Sequence, residues 1–273
     1  MSGVIRDRVT LIALVFLLVC VAVTTLAPVL APYDPYQIET SRKLELFSRD
    51  HWLGTDEFGR DVLSRLLYGG RISLTVGLMA TSIGLLSGVL VGLCSGYFRR
   101  LDGVLMRLVD VLMAIPTILL ALSFIAALGP GVYKIMIAVG IGALPGFARL
   151  TRSAVLSLRE SEFVLAAHAA GSRDYYILWR HILPNVLPPI LVYGSLHLPR
   201  ALLAATILSF LGFGVQPPTA EWGAMITGGQ AYLRQAPLLS TIPSIAIFLV
   251  VMSFNLLGDG LRDTLDPRFR GTL

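Results

Sequence analysis

Charged side chains are scarce in this sequence. Asp, Glu, Lys and Arg make up only 14% of its 273 residues, while hydrophobic residues reach 55%. A water-soluble domain of this length needs far more charge to cover its surface, and with a mean hydropathy of +0.75 the chain is solvated chiefly by lipid. Cysteine is nearly absent. Cys20 and Cys94 both lie inside apolar runs, which excludes a disulfide framework and leaves them as small buried hydrophobes. The histidines His51, His168, His181 and His197 are dispersed, so no metal site is expected. No Gly-x-x-x-x-Gly-Lys-Ser/Thr segment occurs, which excludes a Walker nucleotide site. His-Glu-x-x-His and Gly-x-Ser-x-Gly are also missing. Gly258-Asp259-Gly260 partly matches the Gly-x-Gly-Asp of intramembrane aspartyl proteases, but Leu256 stands at its first glycine and no second span carries a matched Asp. No catalytic residue is assigned. The net charge of +5 comes from basic residues scattered over loops, which is not a nucleic-acid surface.

Helix breakers, by contrast, are plentiful, with 26 Gly and 15 Pro. Transmembrane helices accept them, because neighbouring helices and cavity water satisfy the freed backbone groups. A hydrocarbon core about 30 Å thick needs roughly 20 apolar residues of helix. Six stretches qualify or come close: Val9–Ala27, Ile72–Tyr97, Leu105–Leu128, Val132–Phe147, Leu187–Leu211 and Thr241–Leu257. The first also resembles a secretory signal, with Arg6 and Arg8 before a Leu/Val run, but it is long for one and reaches Pro28 and Pro32 without a clear cleavage site. It is therefore expected to remain as a span. Gly84, Gly88, Gly92 and Gly96 fall on one face of the second span. Helix packing is the expected use of that face, with a translocation-path wall as the alternative.

Orientation follows from arginine and lysine. A cytoplasmic N-terminus puts thirteen of these residues inside and eight outside, and six of the eight lie in one long loop of mixed charge. Both termini are expected in the cytoplasm. The longest inner connection is then 148–186, and the long outer segments are 30–71 and 212–240. In the tail, Asp259, Asp263 and Asp266 alternate with Arg262, Arg268 and Arg270, a pattern suited to a helix end and cytoplasmic anchor. Arg107 and Asp110 stand three apart and are expected to pair on one helix face, with Pro116 kinking the helix beyond them. Arg200 lies inside the fifth span, where an arginine requires water or a partner acid. Two readings stand: it lines a substrate path and meets an anionic group such as a peptide carboxylate, or it snorkels outward. His197, one turn earlier, is expected to be a packed side chain.

The inner connection carries the most telling pattern. A helical start with Glu160 and Glu162 leads to Ala166, Ala167, Ala169 and Ala170, and Gly171 breaks the run. Ser172 or Asp174 is expected to cap a second short helix bearing Tyr175, Tyr176, Ile177, Leu178 and Trp179, which ends at Pro184. Two such helices at an angle, too polar to cross a bilayer, would expose aromatics to a partner, or else rest on lipid.

This Ala-Ala…Gly…Leu-Pro pattern, here Ala166, Ala167, Gly171, Leu183 and Pro184, resembles the EAA loop of bacterial binding-protein-dependent ABC importers. Leu165 stands where that family has glutamate, and Glu162 lies one turn earlier. Three further blocks resemble the C-type permease of dipeptide, oligopeptide and nickel importers: His51–Arg65, Leu208–Met225 and Phe254–Arg268. The resemblance implies an all-α membrane protein of about six transmembrane helices, with the type I ABC importer permease fold. Residues 1–71 would form the first span and a periplasmic scoop, with Gly54, Thr55, Asp56, Gly59, Arg60 and Asp61 in a compact outer cap that helps receive cargo. Residues 72–273 would form a five-helix transmembrane domain whose loop at 148–186 docks on an ATPase. Glu162, Leu165, Ala166, Ala167, Gly171, Asp174, His181, Leu183 and Pro184 are the expected docking residues. The implied partners are a B-type permease, one or two cytoplasmic ATPases that bind ATP and Mg, and a periplasmic or lipid-anchored binding protein. The chain itself would hold no cofactor and sit in the bacterial inner membrane. Peptide is the implied cargo, with nickel or a metal chelate as the alternative. A secondary transporter would lack such a docking loop and hold more intramembrane charge.

Overall fold

The computed structural model describes residues 8–265. Helix α1 (Arg8–Thr25) is followed by a single turn, α2 (Ala27–Leu30), and a connection over 31–61 with one short 3-10 turn. Then come α3 (Val62–Tyr97), α4 (Arg99–Ala114), α5 (Thr117–Leu128), α6 (Val132–Arg159), α7 (Glu162–Ala169) and α8 (Asp174–Tyr176). A π-helical segment at Ile177–Ile182 leads unbroken into α9 (Leu183–Phe210), and α10 (Trp222–Gln230) and α11 (Leu238–Leu265) complete the chain. Among the described residues the β pairing is a single isolated bridge between Thr55 and Asp61. Among the described residues five helices are long and apolar enough to cross a membrane, or six if the bent pair α4–α5 is counted as one span.

Helix α3 is the spine. Its 36 residues make a rod about 54 Å long at 1.5 Å per residue, well beyond a hydrocarbon core of about 30 Å. It therefore starts at Val62, before the apolar stretch that opens at Ile72, and projects past lipid at its ends. The glycine face packs in parallel against α6. A side-chain carbon on Gly84 would lie 2.5 Å from Ala143 Cβ, one on Gly88 2.5 Å from Phe147 Cβ, one on Gly92 2.5 Å from Thr151 Cβ, and one on Gly96 2.7 Å from Val155 Cβ. Each glycine meets the residue one turn further along the partner, so the two backbones run in register at close approach. The glycine face is a helix-packing seam. Helix α9 packs antiparallel against both, with Leu202 against Gly77 and Leu85 and Phe147 against Gly194. Helices α1 and α11 pair outside this core, where Thr10 lies against Gly260.

Several boundaries differ from the sequence expectation. The third span is not one helix from Leu105 to Leu128, because α4 and α5 meet at 93°. Pro116 has no N–H to donate, and Ile115 before it takes an extended backbone (φ −99°, ψ 127°), so a kink becomes a full break. Asp110 does not pair with Arg107. It accepts from Arg149 of α6 at 2.6 Å, and Asp102 takes a two-pronged contact from Arg152, both prongs 2.6 Å. These pairs hold α4 against α6. Helix α6 passes through Pro145 and continues beyond Phe147 to Arg159, so the inner connection begins at Glu160 rather than Ala148. The sixth span extends to Leu265. Asp266, Arg268 and Arg270 of the expected anchor, and Arg6 at the other terminus, lie outside the described residues. Cys20 and Cys94 are free and half-buried within α1 and α3.

Enlarging the seam should be far worse than enlarging an open glycine. Gly88→Leu is expected to lower the melting temperature of the detergent-solubilised protein by an amount matching about 1–3 kcal/mol of overpacking. Gly103→Leu, at a position with nothing within 4 Å, should leave it unchanged.

Candidate functional site

At the end of the molecule where α3 begins, the 31–61 connection folds into a cap whose charges are interior. Asp56 and Arg60 are each 6% exposed, Asp61 2% and Arg65 6%. Asp56 accepts from Arg60 Nε at 2.6 Å and from the backbone N–H groups of Phe58 (2.9 Å) and Arg60 (3.0 Å), and it faces Arg65 Nε at 3.3 Å. Asp61 caps α3 by accepting from the Ser64 backbone N–H (2.7 Å) and hydroxyl (2.8 Å), and its other oxygen lies 2.9 Å from His51 Nδ1. The Thr55 hydroxyl donates to the Arg42 carbonyl and accepts from the Glu45 N–H. Gly54 (φ +77°) and Gly59 (φ +80°) occupy the left-handed region. A side chain on either would collide with the backbone of Glu45 or Glu39, so glycine is required for the loop to close on itself. The six expected scoop residues thus come together as one buried network, not as a solvated loop with surface ion pairs.

The same end gathers the connection after α9. Arg65 donates to the carbonyls of Pro35 (3.0 Å) and Pro218 (3.3 Å). Glu221, 3% exposed, caps α10 through the N–H groups of Gly223 (3.0 Å) and Ala224 (2.9 Å) and accepts from Ser73 Oγ of α3 at 2.9 Å. The Trp222 indole donates to the Leu66 carbonyl at 2.9 Å. Ser73 was not singled out in the sequence, where a serine in an apolar run carries no distinguishing signal.

At the opposite end, α7 and α8 form an elbow. Gly171 (φ +78°) ends α7: its N–H reaches the His168 carbonyl at 2.9 Å, and the Ser172 N–H reaches Ala167 at 3.1 Å. This pair of bonds is the Schellman geometry, and it explains why a glycine stands four residues after Ala167. The expected Ser172 or Asp174 cap is not formed. Arg173 occupies the cap position without a side-chain bond, and Asp174 begins α8. Pro184, lacking an N–H, follows a π-helical stretch in which the Leu183 N–H bonds Leu178 O, a widening that accommodates the proline ring. Val164, Ile177 and Ile182 are fully buried against α3 and α6, whereas Leu165 (55%), Tyr175 (61%), Tyr176 (47%) and Trp179 (61%) are exposed. Glu162, Ala166 and Pro184 are also exposed. His181 sits between the rings of Tyr176 (5.6 Å) and Phe163 (6.4 Å).

Arg200 lies away from both ends. It is exposed and lines a groove of about 360 Å³ beside the α4–α5 break, together with Met113, Thr117, Gly146, Tyr193 and His197. His197 packs on Phe147 and Tyr193, with ring centroids at 5.4 and 5.9 Å.

The class of this bundle, with its buried charged cap at one end and exposed aromatic elbow at the other, follows from comparison with known proteins. The family described as the binding-protein-dependent transport system inner membrane component matches residues 84–271, and the N-terminal TM domain of oligopeptide transport permease C matches residues 4–46. The chain belongs to this family: it is a permease subunit of an ABC importer, not an enzyme, and it resides in the inner membrane. Such a permease works with a substrate-binding protein and an ATPase. It is 41% identical over 266 residues to the dipeptide transport system permease protein DppC of Alkalihalophilus pseudofirmus, covering 97% of this chain and 88% of that one. The glutathione transport system permease protein GsiD of Pectobacterium atrosepticum is 42% identical over 268 residues, covering 97% and 89%. The di/tripeptide transport system permease protein DppC of Pseudomonas aeruginosa is 41% identical over 264 residues, covering 94% and 87%. Among solved structures, the inward-facing MetNI methionine ABC transporter superposes with a TM-score of 0.60 at 18% identity, covering 74% of this chain and 96% of that chain. An amino acid ABC transporter with histidines gives 0.56 at 18% identity, covering 72% and 92%. These likenesses establish the type I importer permease fold.

Removing Asp56 takes the nearest carboxylate from two buried guanidinium groups, leaving Arg60 with Glu57 at 3.5 Å and Arg65 with two carbonyls. Asp56→Ala should destabilise the protein by about 3–5 kcal/mol, read as a fall in melting temperature. Asp50→Ala, which breaks only the exposed pair with Arg42, should shift it little.

Proposed function

We propose that this chain imports short peptides, serving as the C-type half of a permease pair opposite a B-type subunit, with the elbow docked on the ATPase. The observation that carries this reading is the elbow itself. It buries Val164, Ile177 and Ile182 on the bundle and turns Tyr175, Tyr176 and Trp179 outward, at the end opposite the charged cap. A surface-lying lipid anchor would be continuous along one face, whereas these two short helices are set at an angle by Gly171. Closure of an ATPase pair would swing the elbow, and with it the bundle, between inward- and outward-open states, in alternating access. The termini and the elbow then face the cytoplasm, and the cap, within residues 1–71, faces the binding protein. Residues 72–273 form the conducting body.

Peptide cargo rests on relatives named for dipeptides, di/tripeptides and glutathione. Each of these molecules carries a carboxylate, and Arg200 supplies a cation in a groove along the bundle. We assign it to the translocation path on that ground.

Two measurements test these points. In proteoliposomes holding the complete importer and its binding protein, labelled dipeptide should enter on ATP addition. Arg200→Gln should reduce uptake by about ten-fold or more, as expected for loss of a charge-assisted contact of about 1.5–3 kcal/mol. Nickel uptake without peptide uptake would overturn the cargo, and unchanged uptake and substrate range in Arg200→Gln would remove that residue from the path. A photo-crosslinker attached at Trp179→Cys should capture the ATPase. Adducts with lipid headgroups alone would overturn the docking role.

A further inference from the structure

The terminal turn of α3 holds a side chain that neither the cap nor the seam uses. Tyr97 is 7% exposed. Its hydroxyl donates to Asp174 Oδ1 at 2.8 Å and lies 3.1 Å from His168 Nε2. A phenol has one hydrogen. With that hydrogen given to the carboxylate, the oxygen accepts from His168 Nε2–H. His168 belongs to the last turn of α7 and Asp174 opens α8, so a single hydroxyl grips both arms of the elbow on either side of Gly171. Arg159, at the end of α6, donates to the carbonyls of Gly96 (3.1 Å) and Tyr97 (3.4 Å). Three elements, α6, α7 and α8, therefore converge on the last turn of α3.

From these contacts we propose that Tyr97 is the positioning residue through which displacement of the elbow is passed to α3, and so to the gate. The inference rests on the docking role of α7 and α8. Apart from the helix that carries α8 on into α9, the remaining hold of the elbow, and of α7 above all, on the bundle is apolar, through Val164, Ile177 and Ile182. Apolar burial resists separation but is non-directional and tolerates sliding. The hydroxyl contacts are directional and fix where the elbow sits relative to the end of α3. What moves that end moves the spine. The same helix carries the glycine seam with α6, receives Leu202 of α9 against Gly77, and joins the outer cap through Asp61 and Ser73. Without the Tyr97 link, an ATPase can still bind the exposed aromatics and turn over, but its closing motion is absorbed by slippage of the elbow.

The test uses the complete reconstituted importer and reads peptides imported per ATP hydrolysed. Tyr97→Phe keeps the ring and its edge contact with Phe98, centroids 5.0 Å apart, and deletes only the hydroxyl. The expected result is a ratio lowered about five-fold or more, the lower bound of a typical coupling between sites, with ATPase affinity and basal hydrolysis retained. His168→Ala, which removes the other partner of the hydroxyl, should match it, and the double variant should be no worse than either single one. His168→Gln, which keeps an N–H donor, should recover much of the ratio. An unchanged ratio in Tyr97→Phe overturns the proposal. So does a proportional fall of import and hydrolysis together, since that marks a purely structural role. If Tyr97→Phe fails to assemble, the His168→Ala and His168→Gln pair decides by the same ratio. Failure of the docking reading is seen separately, as loss of the Trp179→Cys crosslink to the ATPase in the otherwise unaltered chain.

Discussion

The architecture depends on the contact between α3 and α6. In lipid there is no hydrophobic drive to bring two apolar helices together, so association relies on close van der Waals packing, which only small residues permit. Four glycines one turn apart on α3 let the α6 backbone approach as near as side-chain volume allows. The two helices run parallel, so the chain must return across the bilayer between them. That return is α4–α5, and its break at Pro116 is the local adjustment that fits it into the space left. The pairs Arg149–Asp110 and Arg152–Asp102 fasten α4 to the same helix that carries the seam.

The rod formed by α3 ends in two different chemistries. Where it begins, carboxylates and guanidinium groups are withdrawn from water and satisfy one another. Where it ends, apolar residues are buried while Tyr175, Tyr176 and Trp179 face outward. A buried ion-pair network gives a rigid, single-geometry surface. An exposed aromatic surface on a short bent element is instead suited to being held by something else. The two ends of one helix thus present a rigid charged surface and an exposed aromatic one.

Much of this was legible in the sequence because lipid imposes blunt rules. Apolar length located five long helices and the bent pair α4–α5, and the Ala167–Gly171 spacing located the elbow, because a Schellman turn requires a residue at positive φ. The helix ends were less legible. Val62–Gly70 and Leu150–Arg159 are helical but lie beyond the apolar stretches, and hydropathy registers only what lipid touches. The pairing of Asp110 was misjudged for a related reason: local spacing favours Arg107, but α6 delivers Arg149 from 39 positions away, a partner that depends on tertiary packing. The burial of Asp56 and Arg60 was equally hidden, since charged residues flanked by glycines read as a surface turn until a second loop covers them. Tyr97 gave no signal of its own beyond standing next to the last glycine of the seam.

Arg65 accepts help from two chain segments that are synthesised far apart. One of its contacts is to Pro35, 30 positions earlier, and the other is to Pro218, 153 positions later. During membrane insertion its second carbonyl partner arrives only once α9 has crossed and the segment after it has emerged on the same side. The network therefore closes late in biogenesis, and a chain that stops before Pro218 would leave Arg65 short of one carbonyl acceptor, a mark by which quality-control proteases could tell a finished subunit from a stalled one.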